Sequence, residues 1–214
     1  MSRKTKIKLP SDREITEIDE LRKTARNSRN PKVLEELIEE HDYDEFICWY
    51  VANNSAANSH TREILAKHQN PKVRYCIAQH SDKIESEKAL ILLTLDNRLE
   101  IREQVARTTT RESIKELLLK GNPHNEKIRK ICLKRLNKMD VLEKFILKAS
   151  SDDLFRYAES ILNNPNLTRH ILLLFITVSD RLSNEHINLI VDHIQYNQKY
   201  FEESLARFKN DVKN

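Results

Sequence analysis

Eight side chains recur in pairs at one position of a repeated helical pattern, and their types suit binding rather than catalysis. The members of each pair stand four residues apart, so they adjoin on a helix. The pairs are Trp49 and Asn53, Tyr75 and Gln79, Glu103 and Arg107, and Lys130 and Lys134. Aromatic residues are enriched at protein interfaces, and amides and cations add hydrogen bonds and charge. We predict that these residues form a partner-binding surface; the alternative is that they are ordinary solvated side chains.

The cysteines and histidines do not form a pattern typical of a metal or nucleophile site. The three cysteines, Cys48, Cys76 and Cys132, are far apart, and none of the eight histidines stands at ligand spacing from them. A single glycine excludes a glycine-rich phosphate-binding loop. We therefore expect no metal site and no cofactor, and we assign no catalytic residue.

A repeat of about 27 residues positions the eight side chains. The small or apolar residue that ends its conserved pattern falls at positions 25, 52, 78, 106 and 133, which are 27, 26, 28 and 27 apart. A period in this range is typical of solenoids. On a helical wheel, the residues three before and one after each of these reference positions lie opposite the core. They are the eight residues named above.

Each repeat contains two apolar runs with helical spacing, so the sequence predicts an all-α fold of stacked two-helix repeats, an α-solenoid. Asn30-Pro31 and Asn70-Pro71 predict helix starts, with Asn as the cap and Pro in the first turn. After Met139 the period becomes irregular.

We predict three segments from this pattern. Residues 1–9 form a flexible basic tail, 10–139 hold the repeats, and 140–214 are divergent helical repeats with a C-terminal cap. A separate helical domain over 140–214 is the alternative.

The segment Asn70-Pro-Lys-Val-Arg-Tyr-Cys-Ile-Ala78, with Val51-Ala-Asn-Asn54, resembles leucine-rich repeat variants and short HEAT-like repeats. The resemblance covers roughly residues 20 to 136. It implies an α-solenoid in which the second helix of each repeat lines a concave side. It says little about function, because such repeats serve many partners.

Arg74, Arg102 and Arg129 occupy one recurring position, four before the reference residue. We interpret this row as structural, with stems packed between repeats and polar ends bonded to turns. A row of phosphate-binding groups is the alternative.

Charge is unevenly distributed along the chain. Residues 31–66 carry eight acids and two bases, a net charge of −6, whereas 107–148 carry twelve bases and five acids, a net charge of +7. The longest apolar run, Ile171–Ile176, is too short to cross a membrane. No secretory signal stands at the start, and an odd number of cysteines favours a reducing compartment, so we expect a cytoplasmic protein.

Two functions fit these features. The first is a non-enzymatic scaffold whose concave face binds a protein or peptide. The second is nucleic-acid binding through the basic 107–148 region, since HEAT-like alkylpurine DNA glycosylases are similar in size and architecture. In that alternative Trp49 and Tyr75 stack on bases, and Asp44 or Glu45 supplies a carboxylate. The phosphate-binding residues would be Arg107, Lys127, Lys130, Lys134 and Lys138.

Overall fold

The structure, a computed structural model, describes residues 12–42, 44–122, 125–178, 183–186, 188, 190–192 and 195. Within these residues the regular structure is entirely α-helical, as predicted. The predicted tail 1–9 and the last part of the predicted C-terminal cap lie outside them. The chain divides into two compact units, Met1–Thr110 and Arg111–Asn214. This division falls earlier in the chain than the change of pattern after Met139.

In the first unit the helices are α1 (Asp12–Asn27), α2 (Pro31–His41), α3 (Glu45–Asn53), α4 (Ser59–Ala66), α5 (Pro71–Gln79), α6 (Glu87–Thr94) and α7 (Leu99–Thr108). In the second unit they are α8 (Glu112–Gly121), α9 (Glu126–Arg135), α10 (Met139–Lys148), α11 (Ser151–Leu162) and α12 (Arg169–Val178). No described helix has both the length and the apolar character needed to cross a membrane.

Polar caps set where these helices begin. Asn30 and Asn70 each accept a hydrogen bond from the main-chain N–H two residues later, and proline follows each of them, which confirms both predicted starts. Asp44 caps α3 by accepting from two main-chain N–H groups. Such caps satisfy N–H groups that have no partner inside the helix, which stabilises each short helix by about 1 kcal/mol.

The helices of the first unit pack in two series. The odd-numbered helices contact one another in order, α1 to α3, α3 to α5 and α5 to α7, and α2 packs on α4, which packs on α6. The reference residues Ala25, Ala52, Ala78 and Ala106 are fully buried, as expected for positions where neighbouring helices approach closely. The buried aliphatic side chains beside them each stabilise the fold by about 1.5–3 kcal/mol.

In the second unit α8 packs on α9, α9 on α11 and α10 on α12. By contrast, α8 and α10 make little contact with each other. Tyr157 and Phe175 are the largest buried side chains of this unit. The gap between α8 and α10 is therefore a departure from the close packing of α2, α4 and α6.

At two places in the first unit, a side chain two residues after a reference position bonds to the reference residue of the preceding repeat. Asn54 Nδ2 donates to the main-chain oxygen of Ala25 (3.0 Å), and Thr108 Oγ1 donates to that of Ala78 (2.8 Å). Both acceptors lie in the last turn of a helix, where carbonyls have no partner within the helix. Asn54 thus supplies a donor to the Ala25 carbonyl, and Thr108 adds a second donor at Ala78, whose carbonyl also accepts from the Ser81 N–H at 3.3 Å.

Asn164 makes the same connection in the second unit. Its Nδ2 donates to the main-chain oxygens of Leu133 (2.8 Å) and Leu136 (2.9 Å), and the residue is 1% exposed. Asn164 stands two residues after Leu162, and Leu133 is the reference residue of the preceding repeat. Leu162, 29 residues after Leu133, thus stands in the same relation to Leu133 as Ala52 does to Ala25.

We expect Asn164→Ala to lower the free energy of unfolding by about 2 kcal/mol, because two buried carbonyls lose their donor. Chemical denaturation followed by circular dichroism measures this. Asn163→Ala is the matched control, since Asn163 is adjacent and exposed. Equal stability of the two variants would show that the Asn164 hydrogen bonds contribute nothing to the fold.

Candidate partner-binding face

Trp49 is the most exposed of the predicted aromatic residues. It lies in the middle of α3 and is 45% exposed. Its ring meets that of Tyr50 edge to face, with centroids 5.2 Å apart. A large aromatic side chain that stays accessible, on a helix whose Ile47 and Val51 are buried, is available to an interaction partner.

A cavity lies on each side of Trp49. The first, of about 490 Å³, is lined by Arg26, Trp49, Tyr50, Asn53 and Asn54. The second, of about 450 Å³, is lined by Trp49, Pro71, Lys72, Tyr75, Cys76, Gln79, Arg98, Glu100 and Ile101. All of these residues belong to the odd-numbered helices or to the residues next to their ends. We call this surface, with Trp49 between its two cavities, the Trp49 face.

The acidic residues of 31–66 lie mostly away from these cavities. Four of them belong to α2 and one to α4, and no residue of those helices lines either cavity. Three exposed bases do line the cavities, Arg26, Lys72 and Arg98, against one acid, Glu100. The Trp49 face is therefore locally basic, although the sequence around Trp49 is acidic.

Four of the other predicted residues also lie at or near the surface of the first unit. Asn53, Gln79 and Arg107 are exposed, and Tyr75 is partly buried, with its hydroxyl donating to Gln104 Oε1 at 3.3 Å. The structure places Asn53, Tyr75 and Gln79 beside Trp49 in the two cavities. Arg107 lines neither.

The outward position predicted for Glu103 is wrong, because this side chain is buried at 9% exposure. Ile101, Val105 and Ala106 of the same helix are also buried, so α7 is covered on more than one side. A helical wheel built on the repeat assumes one buried side and cannot detect the second. Glu103 therefore does not belong to the exposed surface that the sequence predicts.

The second unit carries the remaining two predicted residues. Lys130 pairs with Glu126 one turn earlier, with 2.6 Å between Nζ and Oε1, and Lys134 is exposed. Lys127 and Lys138 are exposed as well. These lysines form a solvated basic surface rather than an enclosed site.

Asp44 is engaged in the fold rather than placed for base chemistry. Its carboxylate caps α3 and accepts a 2.8 Å hydrogen bond from Arg22, whose guanidinium also lies over the Phe46 ring. Burial alone raises the pKa of Asp44, but the Arg22 hydrogen bond and the main-chain N–H groups outweigh it and leave the pKa below its usual range. A carboxylate held in this way is a weak base.

All three thiols, of Cys48, Cys76 and Cys132, are buried. Burial raises the pKa of Cys48 and Cys132 to about 12 and that of Cys76 to about 11. The nucleophile of cysteine chemistry is the thiolate, so these thiols are inert at neutral pH.

The recurring arginines make structural contacts in the first unit. Arg74 donates to both carboxylate oxygens of Asp96, at 2.6 and 3.1 Å, and to the main-chain oxygens of His68 and Gln69. Arg102 donates to the main-chain oxygen of Asp96. In the second unit Arg129 instead lies over the rings of Phe145 and Tyr157.

One cluster was not anticipated from the sequence. Glu35 and Glu39 on α2 and His60 on α4 have potential ligand atoms within 4.8 Å of one another. Asn58 Nδ2 donates to Glu35 Oε2 at 2.9 Å, and His60 Nε2 lies 3.6 Å from Glu35 Oε1. The signal that could have found it is the approximate repeat, because residues 35 and 60 are 25 apart, close to one repeat, on helices α2 and α4, which pack together.

No family model, curated protein or solved structure matches the chain.

The Arg74–Asp96 pair predicts a specific acid sensitivity. Burial raises the pKa of Asp96, but hydrogen bonds from Arg74 and the Arg98 N–H outweigh this and lower it. A carboxyl whose pKa is lower in the folded chain stabilises the fold above the pKa of the unfolded chain, and this contribution is lost as pH falls through the folded value. Asp96→Asn should therefore be about 2 kcal/mol less stable at pH 7, with the difference narrowing in acid.

The stability difference between wild type and Asp96→Asn is measured from their denaturation midpoints at a series of pH values between 7 and about 3. Asp82→Asn is the matched control, because it removes one acid from an exposed position of the same unit. A constant gap between wild type and Asp96→Asn across this range would contradict the account.

Proposed function

We propose that the protein is a non-enzymatic scaffold that binds a peptide or an extended segment of a partner protein on the Trp49 face. The observation that carries this proposal is the exposed Trp49 between two cavities of about 450 and 490 Å³. Binding hot spots are enriched in tryptophan, tyrosine and arginine. All three residue types line these two cavities.

The proposed architecture is an α-solenoid of two-helix repeats related to HEAT-like repeats and leucine-rich repeat variants. It is supported by the separate packing series of odd and even helices and by the recurring hydrogen bond to the reference residue. Residues 140–162 join it as a further repeat through Asn164. In such a stack, successive second helices present equivalent positions side by side, which suits an extended partner.

The charge of the face indicates the chemistry of the partner. Arg26, Lys72 and Arg98 surround Trp49, so a segment with acidic residues flanking an apolar anchor complements it. Because the three thiols are free and buried, we place this interaction in a reducing compartment, the cytoplasm.

Nucleic-acid binding is the weaker candidate. Its stacking residues, Trp49 and Tyr75, belong to the first unit, whereas its phosphate-binding residues, apart from Arg107, belong to the second. Of the two carboxylates proposed for base chemistry, Asp44 is held by Arg22 and two main-chain groups, whereas Glu45 is exposed.

A phage-displayed library of random linear peptides, selected on the full chain, tests the proposed function. We expect enriched peptides to carry acidic residues beside an apolar anchor. Trp49→Ala should weaken their binding by about thirtyfold, the loss expected at a hot spot of 2 kcal/mol. The melting temperature should change little, since Trp49 is exposed.

Phe46→Ala is the matched control, because Phe46 is a 59% exposed aromatic residue on the same helix and lines neither cavity. It should leave peptide affinity unchanged. Two outcomes would rule out the Trp49 face as the binding site. The selection would enrich no peptide, or the enriched peptides would bind wild type and Trp49→Ala with equal affinity.

A further inference from the structure

We propose that the second unit binds a small organic phosphate, of nucleotide size, in the cavity between α8 and α10. This inference is independent of the Trp49 face, because every residue that it uses lies in Arg111–Asn214. It goes beyond a scaffold function, since it assigns a soluble ligand to the protein.

The cavity lies where α8 and α10 make little contact. Its volume is about 400 Å³, within the range of small-molecule sites. The lining residues are Glu116, Leu119, Lys120, Arg129, Val141, Lys144, Phe145, Lys148 and Ala149. A cavity of this size encloses one small ligand and is too short for an extended polymer.

One part of the lining is apolar. Leu119 and Val141 are buried, and the Phe145 ring lies beside them in the cavity wall. The Phe145 ring also meets the buried ring of Tyr157 edge to face, with centroids 5.9 Å apart, so its orientation is fixed. A fixed aromatic ring next to aliphatic groups suits the flat ring of an organic ligand.

Arg129 supplies a cation beside this wall. Its guanidinium carbon lies 5.1 Å from the centroids of both Phe145 and Tyr157. Contact with the two aromatic rings orients the Arg129 guanidinium before any ligand binds. A guanidinium positioned in advance is the preferred group for recognising phosphate, because its N–H groups donate two parallel hydrogen bonds.

Three lysines complete the cationic rim. Lys120 pairs with Glu116 at 2.6 Å and Lys144 with Asp140 at 3.6 Å, and both lysine side chains are more than 70% exposed. Exposed ion pairs of this kind add little to stability, so a phosphate can displace them. Lys148 is exposed and makes no ion pair within the described part of the chain. Four bases against one acid give the lining a net charge of +3.

The two halves of the lining together select the ligand class. A neutral aromatic compound satisfies the apolar wall but not the four cations, and an inorganic anion satisfies the cations but not the wall. An organic phosphate satisfies both, which gives it the higher affinity.

Isothermal titration calorimetry of the full chain at low salt tests this with three probes. Adenosine 5′-diphosphate carries both parts, adenosine lacks the phosphates, and inorganic pyrophosphate lacks the ring. We expect the diphosphate to bind at least tenfold more tightly than either of the other two. Equal affinity for pyrophosphate and the diphosphate, or no heat from the diphosphate at about 1 mM, would overturn the proposal.

The variant Lys148→Glu should weaken binding of the diphosphate at least tenfold. Lys134→Glu is the matched control, because it makes the same charge change on an exposed lysine of the second unit that does not line the cavity. Both lysines are exposed, so both variants should keep the wild-type circular dichroism spectrum and melting temperature.

A single-stranded DNA 12-mer of mixed sequence, titrated across a salt series, tests whether the phosphates of a nucleic-acid backbone bind here instead of a small organic phosphate. We expect it not to compete with the diphosphate. Competition by the 12-mer, or equal weakening by Lys134→Glu and Lys148→Glu, would show a diffuse nucleic-acid surface instead of a ligand cavity and would overturn the proposal.

Discussion

The arrangement of the repeats depends on the hydrogen bond from a polar side chain to the last turn of the preceding repeat's second helix. Asn54, Thr108 and Asn164 donate it, and the acceptor is each time the main-chain oxygen of a reference residue. Hydrophobic burial is non-directional and sets no register between two apolar helices. A directional hydrogen bond does favour one register, since a helix displaced along its neighbour separates the donor from the carbonyl.

These bonds also fix the geometry of the Trp49 face. Asn54 ties α3 to α1, and Thr108 ties α7 to α5. Between them, Nε2 of His80, the residue that follows α5, lies 3.2 Å from Asn53 Oδ1 on α3. Asn53 Nδ2 also donates to the main-chain oxygen of Trp49. Burial first, and then the positive charges of Lys83 and Arg62, lower the pKa of His80, so the ring is neutral near pH 7. A neutral ring can donate from Nε2 to Asn53, which links all four odd helices through side chains at one end.

The all-helical fold and the buried pattern could be predicted from the sequence, because a periodic apolar stripe and an Asn-Pro start act within a single helix. Glu103 could not be placed, because a second covered side of α7 depends on contacts that one helix does not encode. The sequence predicts divergent helical repeats after Met139 but does not align them with the earlier ones, because Leu162 is large and stands 29 residues after Leu133. The two positions are related only by a hydrogen bond over 31 residues. The basic character around Trp49 was likewise hidden, since residues 31–66 are acidic in sequence while most of their acids belong to α2 and α4.

The most direct measurement is site-specific photo-crosslinking in living cells that express the chain, with a photoreactive amino acid placed at Gln79 or at Lys88. Gln79 is exposed on the Trp49 face. Lys88 is the control, because it is exposed on α6 and no residue of α6 lines either cavity beside Trp49. Our account predicts light-dependent protein adducts of defined mass from position 79 and none from position 88. Adducts from position 88 without adducts from position 79 would contradict it, because the partner would then bind the even-numbered helices.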